Sequence, residues 1–333
     1  MKIYICCTLP KTPAGGSFQF FKAFRKYLEK QQLITTQANN ADIIVCNSFL
    51  NNIEALQLKQ QYPDTIFVHR VDGPIRLYNT LSDKRDAIVY TLNNYIMDAT
   101  IFQSKYSQQS NYALGFPKQS HETLIMNAPD PDCFYPKKYN DLPKTKIIAT
   151  SWSSNWKKGF KVYQWLDEHL DFSKYSMTFV GNAPTTFKNI KHIPPVTSDQ
   201  LGELLRQHDI YITASEKEPC SNALLEALHC GLPAIYFNDG SHSELVQSGG
   251  LGFKTNHEII NNLEIISKNY TQFVEQINVP SFNKTMEAYI DYLRTLYNKK
   301  KSNQLKPKTI TKSNYFYIKL KSIFYRLINK LIL

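Results

Sequence analysis

Two α/β domains, each built on a doubly wound parallel sheet, are predicted by three features of this sequence. Short apolar runs rich in β-branched and aromatic residues recur along it, each followed by a turn and then by a stretch with helical spacing. The best bounded unit is Asp209–Thr213, a buried strand, then a helix opened by Ser221 and stopped by Gly231 and Pro233, then the strand Pro233–Phe237. Finally, 333 residues of which 42% are hydrophobic supply packed cores for about two domains.

The first domain is expected over residues 1–140. Lys2–Cys6 reads as its first strand, and a turn carrying Gly15 and Gly16 precedes a helix from Phe18 to Gln31. Glycine there lets a ligand approach the backbone, although such a pair taken alone is more often a plain loop. Asp42–Cys46 and Thr65–His69 read as further strands, the second running into His69-Arg70-Val71-Asp72-Gly73-Pro74. Such a strand end is where open α/β sheets bind ligands; the alternative is a surface His–Asp turn. Asp98–Ser104 reads as a strand leading into a helix, Thr123–Asn127 as the last strand, and the Pro- and Asp-rich run Asn127–Pro136 as the linker.

The second domain is expected over 141–282. It opens with the strand Lys146–Thr150 and a loop holding Ser153, Lys157, Lys158 and Gly159. Met177–Val180 and Ile193–Val196 follow, then the unit around 209–237 and a helix over 257–269. A helix over 283–298 closes the body, and 299–333 forms a tail.

The segment Glu218 to Pro233 carries the chemistry. A helix starting at the carboxyl edge of a sheet offers unpaired N–H groups at Ser221, Asn222 and Ala223 and the positive end of its dipole, which suits a phosphate. Glu218 precedes this helix and Glu226 lies inside it. A carboxylate beside an anion site is unfavourable unless it meets something else, and sugar hydroxyls are natural donors to it. On residues alone, the pair is equally a solvated loop residue and an exposed helix residue.

Glu218, seven residues, then Glu226, within Ser215 to Pro233, resembles the signature of the retaining glycosyltransferases of family 4, which have the GT-B fold. Asn238–Val246 resembles that family's Gly-rich turn and acidic helix start. The resemblance implies two Rossmann-like domains facing a cleft, with the closing helix crossing back to the first. It implies that Glu218 contacts the donor sugar, that Pro219, Cys220, Ser221, Asn222 and Ala223 hold the sugar and diphosphate, and that Glu226 binds the ribose. His69 matches a cleft histidine near sugar and acceptor, and Gly15-Gly16 matches the loop facing the donor phosphates or acceptor. Lys158-Gly159 fits a lysine that neutralises the diphosphate, but the usual arginine five residues earlier is Ser153, so one expected charge is absent.

Composition sets the partners. Cys6, Cys7, Cys46, Cys133, Cys220 and Cys230 have neither disulfide-framework nor zinc spacing, so no metal site is expected and a reducing compartment is. No apolar run reaches about 18 residues and no signal core opens the chain, which predicts a cytoplasmic protein. Ten basic residues and no acidic one lie from Lys299 onward, and they account for ten of the eleven net positive charges. Within the tail, Phe316, Leu320, Ile323, Phe324, Leu327, Ile328 and Leu331 recur at helical spacing, with Lys319, Lys321, Arg326 and Lys330 at the edges. This predicts a C-terminal amphipathic helix that meets an anionic membrane surface through 306–333; the alternative is a helix packed on the protein or a partner.

The expectation is therefore a metal-independent retaining glycosyltransferase needing no cofactor, peripheral on the inner face of a membrane. Its donor is a nucleotide sugar, UDP- or GDP-linked, and its acceptor a glycan or lipid-linked glycan, as in bacterial surface glycan or lipopolysaccharide synthesis. A non-catalytic GT-B scaffold tethered by its tail is the competing reading, kept open by Ser153. A nucleic-acid partner is not expected, since no recognition motif accompanies the charge.

Overall fold

The computed structural model describes residues 1–9, 16–136 and 144–332. The chain divides into two compact units, one holding Ser17–Met126, the N-terminal strand and Asn283–Leu333, the other Asn127–Phe282.

The first unit is a parallel sheet of β1 (Ile3–Cys6), β2 (Ile43–Asn47), β3 (Ile66–Val71), β4 (Ala99–Phe102) and β5 (Glu122–Leu124), in that order. Its helices are α1 (Gly16–Lys30), α2 (Asn52–Gln61), α3 (Ile75–Tyr78), α4 (Arg85–Tyr95) and α5 (Lys105–Ala113). After α1 the chain makes one parallel bridge, Ile34 to Ile3, with Ile3 N–H donating to Leu33 O at 2.8 Å and Thr35 N–H to Ile3 O at 2.9 Å. The chain thus moves outward past β1 before crossing back to β2, which supplies the reversal of a doubly wound sheet. Every residue of β2 and β3 is buried, as strands covered on both faces must be.

The second unit is a parallel sheet of β6 (Thr145–Ser151), β7 (Tyr175–Gly181), β8 (Lys191–Ile193), β9 (Ile210–Thr213), β10 (Ala234–Phe237) and β11 (Gly250–Phe253), ordered β11-β10-β9-β6-β7-β8. With it go α6 (Phe160–His169), α7 (Ser198–Arg206), α8 (Asn222–His229), α9 (His242–Val246), α10 (Asn256–Lys268) and α11 (Tyr270–Glu275). Ile147, Phe160, Phe179, Ile212, Ile235 and Leu263 share its core. The strand order reverses between β6 and β9, so the loops leaving these two strands emerge side by side.

The segment after β5 belongs to the second unit. Asn127 Nδ2 donates to Asn222 Oδ1 at 2.9 Å and Arg206 Nη1 to Cys133 O at 2.8 Å. These contacts hold it there, so the division falls at Met126/Asn127 and not at 140/141, a point outside the described residues. The last strand of the first sheet, expected over Thr123–Asn127, spans Glu122–Leu124.

The C-terminal helices complete the first unit. Tyr289 of α12 (Phe282–Lys301) lies 5.2 Å from the ring of Phe20 and 5.3 Å from that of Phe24. Tyr315 and Ile318 of α13 (Lys312–Ile332) join a core cluster with Phe67, Ile88 and Leu92. Lys308, placed by sequence in the basic tail, is instead part of a built-in strap. Lys308 N–H donates to Asp98 Oδ1 at 2.6 Å, and its Nζ to Asn93 O, Asn94 O and Gln119 Oε1 at 2.9, 3.0 and 2.9 Å. Burial pushes this ammonium down to about 8, so Lys308 is a structural cation and not part of a solvated basic tail.

Candidate active site

Three loops at the carboxyl ends of β6, β9 and β10 form the site, all within the second unit. The β6 loop is shaped by small polar residues: Ser151 Oγ donates to Ser153 O at 2.7 Å, and Ser153 Oγ accepts from Asn155 N–H at 3.2 Å. Asn155 then caps the turn Trp156–Lys158 by accepting from Lys157 N–H at 2.9 Å. Gly159 ends it at φ 89°, and a Cβ there would stand 2.3 Å from Ala214 Cβ. Only glycine lets this turn close on the β9 loop. Glu216 N–H donates to Lys157 O at 2.8 Å, sealing the two loops together.

This closure brings Lys158 to Glu218, whose Oε1 accepts from the Lys158 ammonium. Their side chains are 25% and 11% exposed, so the pair is shielded yet still reachable from solvent. The two residues expected to hold diphosphate and sugar thus neutralise each other. Ser153, at the position of the absent arginine, brings no charge, and its polar atoms serve the loop.

The turn after β10 fixes Glu218 from behind. Ser241 N–H donates to Glu218 O at 2.9 Å, while Asp239 accepts from Lys217 N–H at 3.1 Å and from its Nζ at 2.9 Å. Gly240 has φ 63°, and a Cβ on it would come within 2.7 Å of Glu218 N and O, backbone atoms that cannot swing away. Gly240→Ala is therefore expected to cost about 1–3 kcal/mol and to displace Glu218. A thermal melt checks it, and an unchanged Tm would contradict the clamp. Buried His242 sits beneath, its Nδ1 to Phe237 O at 2.9 Å, with burial lowering its pKa.

Helix α8 starts at this point. Ser221 caps it, its Oγ accepting from Leu224 N–H at 3.3 Å and its carbonyl from Leu225 N–H at 3.1 Å. The N–H groups of Asn222 and Ala223 stay available for an anion. Asn127 steadies the Asn222 side chain, a contact sequence reading missed because it joins residues 95 apart. Cys220 is buried and anchors the loop. Glu226, one turn in, sits in dense surroundings, and this burial pushes its carboxyl up to about 8.

His69 lies elsewhere. It is fully buried inside β3, with Nε2 2.9 Å from Ser48 O and Nδ1 3.2 Å from Asn93 Oδ1, and burial lowers its pKa. Both ring nitrogens are occupied and no face reaches solvent, which corrects the expectation of a cleft histidine. The strand runs two residues further than expected, to Val71, so the residue at its carboxyl end is Asp72. Asp72 accepts from Ser48 Oγ at 3.1 Å and from Arg70 Nη1 at 3.3 Å. Fully buried Arg70 stacks its guanidinium 4.4 Å from the Phe20 ring. An arginine in an apolar strand was the available sign of this network. Gly16 opens α1, and Gly15 lies outside the described residues.

Comparison with known proteins agrees with the architecture. Residues 186–279 match the family model described as Glycosyl transferases group 1. The N-acetyl-alpha-D-glucosaminyl L-malate synthase of Bacillus anthracis is 40% identical over 55 residues, a stretch covering 16% of this chain and 14% of that enzyme. Among solved structures, Anabaena HepE in complex with UDP and glucose superposes with a TM-score of 0.64 at 15% identity, covering 91% of this chain and 99% of HepE. The sucrose-phosphate synthase of Thermosynechococcus elongatus gives 0.64 at 14% identity, covering 89% and 88%. The chain has the GT-B fold, and the stretch matched by the family model contains both Glu218 and Glu226.

Proposed function

We propose that this chain is a retaining glycosyltransferase of family 4 that moves a sugar from a UDP- or GDP-linked donor to a hydroxyl of a glycan or lipid-linked acceptor, at the inner face of a membrane. The observation that carries this reading is the meeting of Lys158 and Glu218 at the strand reversal, beside the N-terminus of α8. Donor binding exchanges partners: sugar hydroxyls take the place of Lys158 at Glu218, and the diphosphate takes the place of Glu218 at Lys158. As the bond from the anomeric carbon to the phosphate oxygen breaks, negative charge grows on the leaving diphosphate. Lys158 and the N–H groups of Asn222 and Ala223 are fixed there to meet it. This division of labour needs no metal or cofactor. Glu226 accepts from the ribose hydroxyls. HepE, solved with UDP and glucose, supports a nucleotide-sugar donor.

The Glu226 carboxyl gives the reading a pH signature. Ribose hydroxyls donate best to the ionised form, so donor affinity is expected to rise as pH rises through about 8. Glu226→Gln removes that dependence. In the free protein the sign is opposite for stability: the folded state holds a proton that the unfolded chain has released, so wild type loses stability relative to Glu226→Gln as pH rises from the ordinary carboxyl range to about 8. Melting curves of both proteins across that window check it.

A panel of UDP-, GDP-, ADP- and CMP-sugars, read by thermal stabilisation and slow donor hydrolysis, tests the function. One donor is expected to stabilise the protein and to be hydrolysed, with the released sugar keeping its anomeric configuration. The uncharged Ser153 favours one second reading, a GT-B scaffold without activity, and absence of any bound or hydrolysed donor would establish it instead.

A further inference from the structure

We propose that α13 is a rigid lipid-docking face of the first unit, with one side built into the protein and the other laid on an anionic bilayer, and not a tether that folds when it meets one. The helix has two distinct sides. Tyr315, Ile318, Ser322 and Asn329 are buried, and the helix packs along α2 and α4. Asn329 Oδ1 accepts from Lys84 N–H at 2.9 Å, and Arg326 donates to Asn52 Oδ1, so both neighbouring helices hold it. About 155° around the axis, at 100° per residue, lies an unpartnered stripe of Phe316, Leu320, Ile323, Phe324 and Leu327, which are 59, 67, 42, 58 and 56% exposed.

Such a stripe on a soluble surface marks an interaction site. Its surroundings choose the occupant. Lys312 and Lys319 flank it on one side and Lys321 on the other, and no acidic residue occurs from Lys299 to the end of the chain. Two copies meeting through this stripe would bring like charges together, whereas anionic headgroups are attracted to both flanks while the apolar side chains enter the acyl boundary. Among the described residues no helix is long and apolar enough to cross a membrane, so the stripe lies along the surface. Because the opposite side is already packed, lipid contact requires no undocking, and it fixes the orientation of the first unit against the bilayer. This inference deepens the membrane part of the proposed function and is independent of glycosyl transfer.

The test uses the full-length protein and phosphatidylcholine vesicles with and without phosphatidylglycerol. Wild type is expected to float with the phosphatidylglycerol vesicles. Leu320→Asp/Phe324→Asp, at exposed positions, is expected to weaken that binding more than about 100-fold, and Lys319→Gln/Lys321→Gln about tenfold or more, with Tm unchanged. Hydrogen exchange of the α13 amides is expected to be slow before vesicles are added. Undiminished binding by the Asp variant would overturn the assignment. So would α13 amides that become protected only with vesicles, which would make the helix a folding tether. Loss of a concentration-dependent dimer in the Asp variant, with no vesicle binding by wild type, would overturn it in favour of self-association. Vesicle binding is measured without donor, so its failure leaves the donor-panel result untouched.

Discussion

Lys158→Ala is expected to lower the rate of transfer by about 10²–10³-fold at saturating donor, because it removes a preorganised positive charge from the leaving diphosphate. The structure makes this substitution unusually consequential. Ser153 contributes no charge where an arginine would help, and Lys217 is engaged by Asp239. Lys158 is therefore the charge proposed to meet the diphosphate. Its loss also leaves Glu218, 11% exposed at the side chain, without its ion-pair partner. The free protein should consequently lose stability as well, and Lys158→Ala/Glu218→Gln should recover that stability without recovering activity. Steady-state kinetics and melts on the two variants separate the effects. A Lys158→Ala protein with unchanged turnover would mean that the diphosphate sits elsewhere.

Removing the tail after Ser302 is expected to unfold or precipitate the first unit. On sequence alone, truncation before Lys306 looks like a clean way to detach a membrane helix; the structure shows that it cuts into a core. Asp98 is almost fully buried and accepts from Lys59 Nζ at 3.1 Å, from Phe67 N–H at 2.7 Å and from Lys308 N–H at 2.6 Å. Truncation deletes the last of these and exposes the apolar surface beneath Tyr315 and Ile318. Two large side chains at about 1.5–3 kcal/mol each, plus a charge-assisted hydrogen bond at about 1.5–3 kcal/mol, approach the whole stability of an ordinary domain. A drop in Tm of roughly 10–20 °C or insoluble expression is the expected result. A truncated protein that melts with wild type would show that α13 is not part of this core.

What was legible in the sequence was what is local. The unit from Asp209 to Phe237 carries its own start and stop signals, so β9, α8 and β10 were readable, with the helix end proposed for the phosphate between them. Glu218 and Glu226 stood out through the resemblance to the family signature, since their spacing alone is equally that of a solvated loop residue and an exposed helix residue. The contact of Lys158 with Glu218 was not, since it depends on which strands become neighbours across 60 residues. His69 was misplaced because the apolar run masks where β3 ends: two more residues of strand turn an edge position into a core one, and Arg70 and Val71 continue the burial. The stripe on α13 was found by its periodicity, but the packed side was hidden. Ser322, Asn329 and a tyrosine do not look apolar, yet Tyr315 packs with Phe67, Ile88 and Leu92 and Asn329 accepts from Lys84 N–H at the start of α4. Lys308 looked like one more charge of the basic tail for the same reason, as nothing local announces Asp98, 210 residues away.

The central claim is that the segment from Glu218 to Glu226 holds a nucleotide-sugar donor, with Glu226 on the ribose. Calorimetric titration of UDP-glucose and GDP-sugars into wild type and Glu226→Ala at a pH above 8 tests it most directly. One donor is expected to bind wild type and to bind Glu226→Ala about 100-fold more weakly, the loss of two hydrogen bonds to a charged carboxylate. Equal affinity for both proteins, or no donor bound by either, would contradict the assignment of this helix end as the donor site.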